Sequence, residues 1–182
     1  MARLAWLLLL CAALSPAFWP GLSGAGNEQD VKAVLLYKFT KFISWPAHAR
    51  PANTGLRICV FGEDPLVNAL DAIAGKLRQQ QPIQVTQTFA AQTAVQQCQV
   101  LFIGVAEQRR LPALLATLAG KPVLTVSDLP GFAARGGMIE LGRERQRIQF
   151  IINRHAAQSA DLTLSAQLLQ VARRVLHGDN AP

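Results

Sequence analysis

Five polar side chains in the second half of the chain could orient a small ligand. Ser127 and Asp128 close the apolar run Pro122 to Ser127, and Glu140, Arg147 and Asn153 follow within two further apolar stretches. A hydroxyl, two carboxylates, a guanidinium and an amide near the carboxyl end of a strand are groups that fix orientation, because α/β sheets bind ligands at that edge. Asp128 reads equally as a turn residue that caps the strand end. Acid or base catalysis would fall to Asp128 or Glu140, but neither sits in a paired-carboxylate pattern or beside a nucleophile, so no catalytic residue is assigned and the chain is read as a non-enzyme.

Other chemistries lose their usual signatures. The turn after the first apolar run is GEDPLVN, with Pro65 and acids where a dinucleotide pyrophosphate would need bare backbone. There is no Gly-Lys-Ser/Thr phosphate loop and no Gly-x-Ser-x-Gly elbow. His48, His155 and His177 are far apart, with no pair at ligand spacing, so neither a metal nor another cofactor is expected.

The opening MARLAWLLLL places Arg3 before an apolar stretch that ends at Ser15 and Pro16, and Ser23, Gly24 and Ala25 supply small residues for a peptidase. This is the layout of a secretory signal peptide, residues 1–25, followed by one domain over residues 26–182. Its removal would delete Arg3 and Cys11 and leave Cys59 and Cys98 as the remaining cysteines. In an oxidising exported compartment those two are expected to form a bridge.

The elements that must position these groups follow from periodicity. Helical spacing covers Glu28 to Ile43, Leu66 to Leu77, Ala90 to Gln97 and Glu107 to Leu118. Strand-like runs cover Leu56 to Phe61, Ile83 to Thr88, Val100 to Val105 and Pro122 to Ser127. Continuous apolar strands separated by helices belong to a sheet covered on both faces. The predicted fold is α/β: a single three-layer domain with a mostly parallel sheet flanked by helices and a C-terminal strand hairpin. The hairpin, Met138 to Leu141 with Arg147 to Ile152, is expected to end the sheet, after a flexible loop around Gly131, Gly136 and Gly137. A final helix is expected over Ser165 to His177.

With 182 residues, 51% hydrophobic and 16% charged, the chain is long and apolar enough for one real core. The formal charge of +7 gathers in Arg109-Arg110, in Arg143, Arg145 and Arg147, and in Arg173-Arg174. A solvated basic surface explains this, as does attraction to an acidic protein face or an anionic membrane. No nucleic-acid partner is expected, because the patches lack interleaved aromatics. The aromatics gather instead in the first helix, at Tyr37, Phe39, Phe42 and Trp45, which has two apolar sides and suits a buried position, a partner or a second copy of the chain.

The segments VKAVLLYKFTKFISWP, RICVFGEDP, CQVLFIG, PVLTVSDLPGFAARGGMIEL, RIQFIINRHAA and LTLSAQLLQVARRV stand in the order seen in YfiR-like periplasmic proteins, which the mature chain resembles from about Gln29 to Val175. The resemblance implies a periplasmic repressor of an inner-membrane diguanylate cyclase, released by an outer-membrane lipoprotein, so that envelope state sets cyclic di-GMP. Cys59 and Cys98 match a bridge of that family. A second bridge known there has no counterpart, since no Cys follows Cys98. For the partner surface the reading selects Phe39, Trp45, Met138, Ile139 and Glu140. The alternative is a periplasmic sensor module that binds a small molecule and serves a transporter or another sensor.

Overall fold

Short runs of branched and aromatic residues build the centre of the molecule, and the helices between them return the chain for the next strand. A computed structural model of the protein describes residues 25–49, 55–76, 83–145 and 147–178; the expected signal segment lies outside them up to residue 24. Helix α1 (Ala25–Phe42) runs into β1 (Ile43–Ser44), followed by β2 (Leu56–Phe61), α2 (Leu66–Lys76), β3 (Ile83–Thr88), α3 (Ala91–Gln97) and β4 (Val100–Ile103). Next come α4 (Leu111–Leu118), β5 (Leu124–Ser127), β6 (Ile139–Glu144), β7 (Arg147–Asn153), α5 (Arg154–Ser159), β8 (Thr163–Leu164), α6 (Ala166–Val171) and β9 (Arg174–Leu176). Among the described residues no helix is long and apolar enough to cross a membrane.

Seven strands form one sheet in the order β3-β2-β4-β5-β6-β7-β9. The run from β3 to β6 is parallel, β6 and β7 form an antiparallel hairpin, and β9 pairs parallel to β7. Strand alternation divides the core into two layers. Ile58, Val60, Val100, Phe102, Leu124 and Val126 face one cluster with Ala33, Leu36 and Phe39 of α1 and Leu66 and Leu70 of α2. Cys59, Phe61, Leu101 and Ile103 face the other, with Ala94 of α3 and Leu111, Leu114 and Leu118 of α4. This is the predicted three-layer α/β arrangement. The Cys59–Cys98 bridge forms, with Cα atoms 5.8 Å apart, and ties β2 to the chain entering β4.

Three expectations are corrected. The final helix ends at Val171; Ala172 turns to extended backbone, and residues 174–176 form β9, so the sheet does not end in the hairpin. The glycine-rich loop is instead a closed turn that plugs the sheet with Leu129, Phe132 and Ala133, all buried. Phe132 N–H donates to Leu129 O at 3.1 Å and Gly137 N–H to Phe132 O at 3.0 Å. Any side chain at Gly137 would overlap the Phe132 ring. The partner-surface residues Phe39 (2% exposed), Trp45 (7%), Met138 (4%) and Ile139 (0%) are core side chains, and cannot offer a contact face in this conformation. Phe39 packs edge-on against Phe150 at 5.1 Å, and the Trp45 indole N–H donates to Gln99 O at 3.2 Å.

Candidate functional site

At the carboxyl edge of the parallel strands, the hairpin β6–β7 runs on beyond the end of β5, and the N-terminal turns of α1 lean over the gap. The result is a cleft of about 360 Å³ with Asp128 and Pro130 at its base, Glu28 and Lys32 on one wall, and Glu140, Leu141, Gly142, Arg143 and Ile148 on the other. Sequence periodicity explains each wall: the i, i+4 spacing puts Glu28 and Lys32 on one side of α1, and the hairpin register sets Arg143 opposite Ile148.

Lys32 is the centre of this arrangement. Its Nζ lies 2.7 Å from Asp128 Oδ2 and 2.9 Å from Glu28 Oε1, although the residue is only 6% exposed. Burial by itself lowers the pKa of an ammonium, but the hydrogen bonds to Asp128 and Glu28 and their charges more than reverse that and leave Lys32 raised. The Lys32 hydrogen bond and charge, against a smaller burial cost, hold the Glu28 carboxyl below its ordinary range, with help from Arg143, whose guanidinium is 3.2 Å away. The cluster is therefore a charged clamp between α1, the end of β5 and the hairpin.

A third carboxylate stands behind it. Asp64, in the turn after β2, accepts a hydrogen bond from the Leu66 N–H at 2.9 Å and so starts α2. Burial raises its pKa, and the Asp128 charge adds to the rise. Gly104 at the end of β4 must lack a side chain, which would otherwise overlap Asp64 Oδ2. Three strand ends thus contribute to one polar region, and Asp128 Oδ1 is buried there with no hydrogen-bond partner among the described residues.

The five ligand residues read from sequence do not meet in one place. Asp128 and Glu140 line the cleft. Ser127 is fully buried just beneath; its hydroxyl donates to Ile103 O at 2.6 Å and accepts from Leu129 N–H at 3.0 Å, a strand-end clasp rather than a ligand contact. Glu140 is committed too, since its two oxygens accept the backbone N–H groups of Gly131 and Ala133, each at 3.0 Å. Arg147 is exposed on the hairpin and does not line the cleft. Asn153 caps α5 through Ala156 N–H at 2.9 Å and donates to Ala133 O at 2.8 Å, beside a separate, mostly apolar cavity of about 600 Å³ between α4 and α5.

Lys32, Glu28 and Arg143 were missed as site residues. Glu28 and Lys32 do carry a signal, the i, i+4 pair at a helix start, but nothing local links them to Asp128. Among the described residues no group of His, Cys, Asp and Glu could hold a metal ion.

The fold is shared with solved structures at low identity. A conserved domain protein from Vibrio cholerae O1 biovar eltor superposes with a TM-score of 0.61 at 12% identity, over 81% of this chain and 60% of that one. The ABC domain in complex with L-Trp from Streptococcus pneumonia gives 0.57 at 10% identity over the same shares. A ligand-free, open substrate-binding protein with adhesive properties from Clostridium difficile gives 0.50 at 11%, over 69% of this chain and 56% of that one. The chain thus spans about 60% of the first two and somewhat less of the third. A family model described as DUF4154, YfiR/HmsC-like, matches residues 29–173, from the first turns of α1 to the approach to β9, and so takes in the cleft apart from Glu28 and every strand but the last. By that match over most of its length, this chain belongs to the YfiR/HmsC-like family.

Proposed function

We propose that the protein is exported to the periplasm and regulates an inner-membrane diguanylate cyclase by binding its periplasmic domain, holding it inactive until an outer-membrane lipoprotein partner draws the regulator away. The observation that carries this reading is the family match over residues 29–173. A bound regulator alters an enzyme only through unequal affinity for its two states. The surface for that is reassigned from the buried aromatics to the outer side of α1, where Val31, Val34 and Phe42 are exposed. The same stripe would serve a second copy of the chain.

The test is the cellular cyclic di-GMP level in a strain deleted for this chain, compared with strains restored with the wild type or with Val34→Glu and Phe42→Glu together. The expected result is a rise on deletion, reversed by the wild type and not by the folded variant. No change on deletion, with the protein shown to be expressed in the parent, would overturn the reading.

A second reading, a periplasmic small-molecule sensor module, is favoured by Asp128 Oδ1, which has no hydrogen-bond partner among the described residues. It predicts that a metabolite with a hydrogen-bond donor raises the melting temperature of the wild type and not of Asp128→Ala.

A further inference from the structure

The β-hairpin and the last strand bring five arginines to one corner of the carboxyl edge. Arg143, Arg145 and Arg147 surround the hairpin tip. Arg174 opens β9 opposite Ile151, four residues along β7 from Arg147, or roughly 13 Å at strand spacing. Arg173 lies between them, its N–H donating to Phe150 O at 2.9 Å and its guanidinium 3.4 Å from Glu144. All five are exposed. Glu144 and Glu28 neutralise Arg173 and Arg143. Arg145, Arg147 and Arg174 have no ion pair among the described residues, so the corner keeps a net positive charge. Arg145 stands at the tip with a left-handed backbone, φ 45°.

We infer that this corner docks on an anionic phospholipid surface. The five arginines are spread from the hairpin tip to the start of β9, and of them Arg143 alone also lines the cleft. A fluid array of headgroups can rearrange to meet spread charges, whereas the carboxylates of a protein would need a matching fixed spacing. Val171, two residues before Arg173 in sequence, is 70% exposed. The docking does not depend on a cyclase partner and would orient the carboxyl-edge cleft toward a membrane.

The test is sedimentation of the purified exported protein with vesicles of phosphatidylglycerol or of phosphatidylcholine. Binding is expected to phosphatidylglycerol and not to phosphatidylcholine, and to disappear as salt rises from about 0.1 M to about 1 M, where screening shortens from about 10 Å to about 3 Å. Combining Arg145→Asn, Arg147→Gln and Arg174→Gln should weaken binding about hundredfold, at about fivefold per arginine. Lys at the same three positions should keep it within a few-fold, and that variant with the salt dependence decides the matter if the neutral variant fails to fold. Equal binding to neutral vesicles, no binding to anionic ones, or full retention by the folded neutral variant would overturn the inference. Binding to polyglutamate but not to vesicles would also overturn it and assign the corner to an acidic protein.

Discussion

The two ends of the sheet are built to different rules. From β2 through β4 to β5 the strands are parallel and largely buried on both faces, with α1 and α2 on one side and α3 and α4 on the other, while β3 at the edge is only partly covered. From β6 to β9 only one face is covered along most of its length, the turn that carries Phe132 reaching the other face only at Glu140 and Asn153. Ile139, Leu141, Phe150 and Ile152 join the α1 layer, while the opposite face shows Gly142, Glu144, Arg147 and Gln149, none of them buried. A side chain built at Gly142 would meet nothing within 4 Å. The difference follows from strand direction: parallel strands need crossover helices, which cover both faces, but a hairpin needs only its turn. The doubly covered half supplies stability, and the half-open end is left to present charge.

The comparison can be broken or sharpened by substitution. The largest effect is expected for Phe102→Ala, central in the doubly covered half, at about 4 kcal/mol by denaturant titration. Replacing Cys59 and Cys98 together by Ala should cost about 3 to 4 kcal/mol, because a bridge across 39 residues restricts the unfolded chain.

Lys32→Met tests the seam between the two halves, and is expected to cost about 3 kcal/mol by leaving Asp128 without its cation and Glu28 with Arg143 alone. The clamp also predicts a pH dependence. Glu28 has a folded pKa below its ordinary value of 4.5, so its contribution is complete above that value and is lost as pH falls through the lowered one. Lys32, with a raised pKa, contributes fully at and below neutral pH and loses its contribution only in strong base. Acid titration of the wild type should therefore show a stability loss that Lys32→Met lacks.

The smallest effects belong to the half-open end. Ile151→Ala should cost less than about 1 kcal/mol, and Gly142→Thr should stabilise by about 0.5 kcal/mol, since it replaces a strand glycine with a β-former in open space. If Ile151→Ala costs as much as Phe102→Ala, the face is covered by something and the contrast fails.

Sequence periodicity captured the doubly covered half well, because its central strands β4 and β5 lie within strongly apolar runs and Asp128 visibly closes one of them. It failed where burial and polarity part company. Lys32 reads as an interruption of an amphipathic helix, yet it is buried because two carboxylates from distant turns meet it. Phe39 and Trp45 read as surplus apolar side chains, yet the hairpin supplies Phe150, and Gln99 supplies an acceptor, both far away in sequence. Strands β8 and β9, with two and three residues, are too short to carry a period at all. The hairpin arginines were plain as a charge cluster, but their union with Arg173 and Arg174 needed the β7–β9 pairing.

The ribbon of β1 and β8 sets the order of assembly. It joins Ile43 to Leu164 and Ser44 to Thr163, so the exit of the first helix is secured by residues near the end of the chain. Ser165 N–H donates to Phe42 O at 2.9 Å beside it. Closing so long a loop is entropically slow, and contacts of high sequence separation delay folding. As the chain emerges from its N-terminus, α1 must wait for almost all of the domain before its last backbone partners arrive. Until then its apolar residues stay incompletely covered, which makes this interval the one in which a chaperone or a misplaced neighbour has access to it.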